Sequence, residues 1–367
     1  MKKIKLLFFG SDYKVGLTQA LTEQILELQK EDSIELYAVS SQNEMEAGLH
    51  QKIKDAGAKM IIVEDLDEHK NIDVLSSKIN DIIKENGITH VNVHNNWQLA
   101  IIAYSKLRRI YRQKYKTIYT IHGYRHNSFL KSLIAIPMIG LALMLFTDRV
   151  ISMSKYVSKR FWFVGYKTDT VFYIMSKPEF NKQENQIANT PLKMVFPAQF
   201  RHGKNQDLLI NAVSKYIEKT NDKSIRLYLP GTGELLETYK NLVRSKGIDE
   251  NVIFPGKLPH KDVIALYEES NIALVSSNVE TYGRCIAEPF ALGRCLITKP
   301  TGVALDIIKN GVNGYLYNNV NDLVEILVNL RENPELVSQI ANQAFEDKKV
   351  FSRDNVIKTY LTAINNA

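Results

Sequence analysis

Cysteine is almost missing from this 367-residue chain: there are two, Cys285 and Cys295. Two thiols so close in sequence cannot form a disulfide framework, so a reducing compartment is expected. No Cys/His spacing of the kind that holds zinc is found, and no metal site is expected. Long hydrophobic runs are also lacking. The longest, FLKSLIAIPMIGLALMLF at residues 129–146, has an uninterrupted apolar part of about 14 residues with Pro137 inside it, which is short for a membrane span. The start, MKKIKLLFFG, has a basic tip, but Lys5 interrupts its apolar run, so it reads as a first β-strand rather than a signal peptide. Repeats, low-complexity tracts and a GxGxxG fingerprint are absent too. What remains is 45% apolar and 24% charged, the composition of a soluble globular protein long enough for two domains.

Acidic residues are scarce in one place. Residues 101–160 hold 12 Lys/Arg against a single acid, Asp148, within a chain of net charge +7. A localised basic block implies an anionic partner: a membrane surface, nucleic acid or phosphorylated substrates. No nucleic-acid module is recognisable, so no nucleic-acid partner is expected. The basic stretch SKLRRIYRQKYK adjoins the apolar run, and apolar surface beside clustered cations is what an interfacial anchor needs. The competing reading of residues 129–146 is a buried core helix. The expectation is a cytoplasmic protein in peripheral contact with an anionic membrane through residues 106–146.

Short apolar runs alternate with segments of helical period throughout, the rhythm of parallel sheets wrapped by helices. In the first half the strand candidates are IKLLFF, IELYAV, KMIIVE, HVNVH, KTIYTIH and RVISMS. A polar, aperiodic stretch, QENQIANTP, reads as a linker. A second series follows, with LKMVFPA, SIRLYLPG, VIFPG, IALVSS and CLITKP as strands. The predicted fold class is α/β, two Rossmann-like doubly wound domains facing a cleft, over residues 1–187 and 191–351. Such sheets carry their sites on loops at the carboxyl ends of strands.

One such loop follows IALVSS. Gly283, at the entrance to the helix GRCIAEPFALG, lets backbone amides approach an anion, and a diphosphate is the natural occupant. Glu280 in the loop can accept from sugar hydroxyls, and Glu288 in the helix from a pair of vicinal ribose hydroxyls. By spacing alone these are two surface acids. Two further loops change the balance: LPGTGE places Gly231 and Gly233 after a strand, and QFRHGKNQDLLI offers Arg201 and Lys204 as phosphate partners. In the first half FFGSDYKVGLTQAL supplies Gly10 and Gly16 as weaker phosphate-loop candidates. His94 and the segment His122-Gly123-Tyr124-Arg125 each follow a strand. Asp65-Leu66-Asp67 superficially matches a cation-holding DxD but sits away from every phosphate motif.

The order PAQFRHGKNQDLLINA, LYLPGTGELLETYKNL, ETYGRCIAEPFALGRCLITKPTG and IIKNGVNGYLY resembles the retaining GT-B glycosyltransferases of family 4, across the second half of the chain. That resemblance implies that Glu280 contacts the donor sugar and Glu288 the nucleotide ribose. Tyr282, Gly283 and Arg284 would line the pocket, and Lys204 would neutralise the leaving diphosphate. His122-Gly123-Tyr124-Arg125 resembles the family's HG-R segment, whose His lies near the reacting sugar. The last segment, residues 352–367, would cross back to the first domain. Two departures stand out. Ala198-Gln199 replaces the usual Gly-Arg, and Pro289 replaces a common Ala, which puts that Pro in the first turn of its helix. The implied activity is transfer from a nucleotide sugar, a UDP-sugar above others, to a lipid-linked or polysaccharide acceptor, with no cofactor and no metal. A GT-B nucleotide-sugar epimerase and a non-catalytic nucleotide-sugar-binding protein are the alternatives.

Overall fold

The structure is a computed structural model that describes residues 3–9, 23–41, 51, 53–66, 68–108, 114–122, 129–175 and 191–367, with backbone alone for 129–135. Gly10, Gly16, Asp67, Gly123, Tyr124, Arg125 and the linker segment up to residue 190 lie outside the described residues. The chain divides into two compact units, Met1–Ile174 with Arg353–Ala367, and Met175–Ser352.

The first unit is built on seven strands: β1 (Ile4–Phe9), β2 (Ile34–Ser40), β3 (Lys59–Ile62), β4 (His90–Val93), β5 (Lys116–Ile121), β6 (Arg149–Ser152) and β7 (Thr168–Thr170). They lie in the order β3-β2-β1-β4-β5-β6-β7, all parallel. Leu6, Leu7, Phe8 and Phe9 are fully buried, as expected of a central strand covered on both faces. The edge strand β7, Thr-Asp-Thr, was not foreseen, because an edge strand needs no apolar run. The helix Ile72–Asn86 buries Leu75, Ile79 and Ile83 at four-residue spacing and stops where Gly87 turns left-handed, φ 63°. Its buried Asn80 Nδ2 donates to Ser105 Oγ (2.7 Å), which ties it to the helix Asn96–Leu107.

The helix Phe129–Phe146 runs through Pro137. Gly140 lies so close to Phe163 that a Cβ there would overlap the ring. Its last turn would leave carbonyls unpaired, but the buried Lys167 Nζ donates to the carbonyls of Leu143 (2.8 Å), Met144 (3.2 Å) and Thr147 (2.6 Å). Lys106 Nζ reaches Phe146 O (2.9 Å). Burial holds both ammonium groups below the usual lysine pKa. Among the described residues no helix is long and apolar enough to cross a membrane.

The closing helix Arg353–Asn365 completes the first unit. Arg353 Nε donates to Glu27 Oε2 (2.8 Å) and its NH2 to Glu31 Oε1 (2.6 Å). Asn92 on β4 donates to Tyr360 Oη at 2.7 Å and accepts from Thr120 of β5 at 2.9 Å.

The second unit has six parallel strands: β8 (Lys193–Val195), β9 (Arg226–Tyr228), β10 (Val252–Ile253), β11 (Ile272–Val275), β12 (Cys295–Thr298) and β13 (Tyr315–Leu316). Their order is β10-β9-β8-β11-β12-β13. The two doubly wound sheets are the predicted fold class.

Candidate active site

Each sheet has one place where the strand order reverses: between β1 and β4, and between β8 and β11. Loops leaving neighbouring strands in opposite directions open a crevice there, the usual ligand position in parallel α/β sheets.

In the second unit the loops after β8 and β11 are laced together. Ser276 Oγ donates to Lys204 O (2.7 Å), Asn205 Nδ2 to Ser276 O (3.2 Å), and Asn278 N to Gly203 O (2.9 Å). This brings Lys204 Nζ onto Glu280 Oε1 in a close ion pair, each side chain only 12% exposed. A pair so shielded from water is strong only while both partners are present, and removing one costs about 3–5 kcal/mol. Arg201 is half-buried in the same loop, its carbonyl accepting from Lys204 N at 3.2 Å. Gln199 is exposed, and its carbonyl accepts from Gln206 Nε2 at 3.0 Å.

The Glu280 loop rests on the loop after β12. Thr301 Oγ1 accepts from Glu280 N (2.8 Å), and Val303 N donates to Tyr282 O (2.8 Å). Between them Gly302 has φ 54°, and a Cβ there would overlap Tyr282 O. Tyr282 is buried beneath the loop. Thr301 and Gly302 were not singled out from the sequence, although KPTG after a strand is a turn signal.

Gly283, φ 87°, caps the helix Arg284–Ala291. Pro289 is the sixth residue of that helix rather than part of its first turn, as the sequence predicted. The helix starts earlier because Gly283 O already accepts from Ile286 N (2.9 Å) and Ala287 N (3.1 Å), and the missing Pro289 N–H removes only one internal bond. Glu288 is buried, and its Oε1 accepts from Arg284 Nε at 2.7 Å and lies 2.9 Å from His260 Nε2. His260, first residue of the helix His260–Glu268, is the partner that sequence reasoning missed. A buried carboxylate demands a donor, but nothing in LPHKDV says which way it faces. Cys285 Sγ lies 3.9 Å from Glu280 Oε1, and burial pushes its thiol pKa up.

Gly231 and Gly233 have φ of 151° and 154°. Their reason is steric: a Cβ on either would overlap the carbonyl of Ala198 or Phe200, whose strand-like segment bonds to theirs through Ala198 N to Pro230 O (3.1 Å) and Phe200 N to Thr232 O (3.0 Å). On the flank of the same loop lies a cavity of about 690 Å³, lined among others by His202, Asn205, Asp207, Leu235 and Tyr239; neither Lys204 nor Glu288 lines it.

In the first unit His94 follows β4 and His122 follows β5. His94 Nδ1 lies 2.7 Å from His122 Nε2, and His122 Nδ1 lies 2.9 Å from Tyr173 Oη. Burial depresses both imidazoles, His122 to about 3 and His94 well below its ordinary value, so both are neutral at pH 7. Each then carries one N–H, which allows two settings. In one, Tyr173 donates to His122, which donates to His94. In the other, His94 donates to His122, which donates to Tyr173. His94 Nε2 is buried and has no hydrogen-bond partner among the described residues. Asp65, φ 63°, sits in the turn after β3.

Two parallel sheets, each with a crevice at its reversal, define a doubly wound α/β scaffold, and comparison with known proteins makes the class specific. Residues 177–347 match the sequence model of the family described as Glycosyl transferases group 1. The O-antigen biosynthesis glycosyltransferase WclY of Escherichia coli is 22% identical over 271 residues, 70% of this chain and 74% of that protein. The N-acetyl-alpha-D-glucosaminyl L-malate synthase of Bacillus anthracis is 23% identical over 305 residues, 78% and 77% of the two chains. Two other relatives align over only 30% and 37% of their own length. The crystal structure of Anabaena HepE in complex with UDP has a TM-score of 0.78 at 16% identity, covering 100% of each chain. The chain therefore has the GT-B fold and is a glycosyltransferase, with the family segment in its second unit.

Proposed function

We propose that the protein is a retaining glycosyltransferase that moves a sugar from a nucleoside diphosphate sugar, a UDP-sugar above others, to a lipid-linked or polysaccharide acceptor in cell-surface glycan assembly. The observation that carries the reading is the shielded Lys204–Glu280 pair at the β8/β11 reversal, beside Glu288. An ammonium has three N–H donors and Glu280 takes one; the others face the leaving diphosphate and stabilise its charge as the bond to the sugar breaks. In this reading that positive charge comes from Lys204 and not from a metal. Glu280, fixed by Thr301 and Lys204, orients the sugar, and Glu288 takes the ribose hydroxyls. The acceptor oxygen forms its bond to the anomeric carbon on the face the diphosphate leaves, and a diphosphate oxygen takes the acceptor proton. Support comes from HepE, solved with UDP, and from the name of WclY, an O-antigen biosynthesis enzyme. The basic block of residues 101–160 suits work at an anionic membrane face.

The test is incubation with UDP-, GDP- and ADP-sugars, with and without glycan acceptors. Nucleoside diphosphate release that depends on acceptor is expected with the UDP-sugar. Epimerisation without acceptor, or binding without turnover, would replace the reading.

A further inference from the structure

The helix Phe129–Phe146 and the 3₁₀ segment Lys159–Lys167 expose apolar side chains on a scale that a solvated surface does not explain. Met138 is 66% exposed, Leu141 56%, Met144 45% and Leu145 64%, and on the 3₁₀ segment Trp162 is 78% and Tyr166 72% exposed. Positions 138, 141 and 145 follow the three- and seven-residue spacing of one helix face, with 144 at its margin. The opposite side holds the buried Gly140 and Leu143. The two elements are locked side by side, since Phe163 lies against Gly140 and the Lys167 ammonium sits on the Leu143 and Met144 carbonyls. Trp162 and Tyr166 therefore adjoin the exposed helix face. An exposed apolar patch of this kind marks an interaction surface.

Charge selects the occupant. Residues 101–175 hold 13 Lys/Arg and two acids, Asp148 and Asp169. Both acids face cations of their own, Lys116 at 3.7 Å and Arg149 at 3.5 Å. Lys155, Lys159 and Arg160 are exposed just before Trp162, and Arg108 is exposed beyond the helix that Lys106 ties to Phe146. A second copy of the chain docking through the same patch would set these cations against themselves. An anionic bilayer attracts them, and Trp and Tyr are the side chains that settle at its headgroup level.

We propose that this face docks on an anionic lipid bilayer, with Met138, Leu141 and Leu145 entering below the headgroups and Trp162 and Tyr166 at their level. The helix end can approach lipid because Lys167 and Lys106 already occupy its terminal carbonyls. The proposal rests on the reading of a membrane-linked acceptor, yet it is tested without donor or turnover, so a failed transferase assay and a failed docking assay remain distinct results.

The experiment is co-sedimentation of the full chain with vesicles of equal parts phosphatidylglycerol and phosphatidylcholine, against phosphatidylcholine alone. Binding to the anionic vesicles is expected. The Leu141→Ser/Trp162→Ser pair should lower the partition by about tenfold or more, and Lys159→Ser by about fivefold. All three side chains are exposed, so melting temperatures should not change. In the unaltered protein, brominated lipids should quench Trp162 and leave Trp97, whose indole N–H is held by Leu66 O at 2.7 Å, as the internal reference. Equal partition of wild type and the Leu141→Ser/Trp162→Ser pair would overturn the proposal. So would a lipid-free dimer that the same pair abolishes, without vesicle binding.

Discussion

The two units solve one topological problem with opposite electrostatics. At the β8/β11 reversal the second unit keeps full charges, Lys204 with Glu280 between two loops and Arg284 with Glu288 along one helix. At the β1/β4 reversal the first unit presents neutral imidazoles, linked through His122 to Tyr173. A fixed ion pair is preorganised for a partner that is itself charged, as a diphosphate is. A chain of neutral groups that can donate or accept suits sugar hydroxyls, which do both. Under the proposed function the difference is a division of labour between charge and hydrogen-bond polarity.

That comparison can be broken most directly at Lys204. Lys204→Ala should lower turnover by about a hundredfold, read as nucleoside diphosphate release under saturating donor, with a smaller change in donor affinity. Equal losses in His122→Asn and Lys204→Ala would erase the contrast between the units. Next comes Gly302→Ala, which forces a Cβ into Tyr282 O and shifts the Glu280 loop. A loss of about 2 kcal/mol in denaturant-measured stability is expected, together with weaker turnover. Glu288→Ala should weaken donor binding about tenfold by titration calorimetry, leaving the Lys204 pair intact.

The smallest effect sharpens the neutral side. His94 and His122 titrate below the ordinary histidine value when folded. The unfolded chain takes up their protons as pH falls through about 6.5, while the folded chain does not until far lower. Their contribution is therefore complete above that pH and is lost progressively on acidification towards 3, on the order of 1 kcal/mol at the start of the window. The melting temperature should fall between pH 7 and pH 5, and this slope should flatten in the His94→Gln/His122→Asn variant. Tyr173→Phe should leave the slope and alter activity alone.

Strand positions such as Ile4–Phe9 and Ile272–Val275 were legible because buried parallel strands are written as unbroken apolar runs. The edge strand Thr168–Thr170 was not, since a polar edge carries no such mark. Within the site, Lys204 and Glu280 could be named from their loops. The bond between them depends on Ser276 and Asn205 stitching two loops 71 or 72 positions apart in sequence, a relation that no local spacing encodes. His260 was hidden for the same reason. Gly231 and Gly233 read from the sequence as phosphate-loop candidates, whereas the contact that requires glycine there is the backbone of Ala198 and Phe200. Pro289 misled because proline usually marks a helix start, and here a helix of eight residues bears it near its end.

The docking of Arg353 on Glu27 and Glu31, and of Tyr360 on Asn92, has a consequence for synthesis. The first unit is assembled from two stretches of chain with the whole second unit emerging between them. On the ribosome, Asn92 must wait for more than two hundred residues before its partner appears, so the second unit can finish folding while the first is still open.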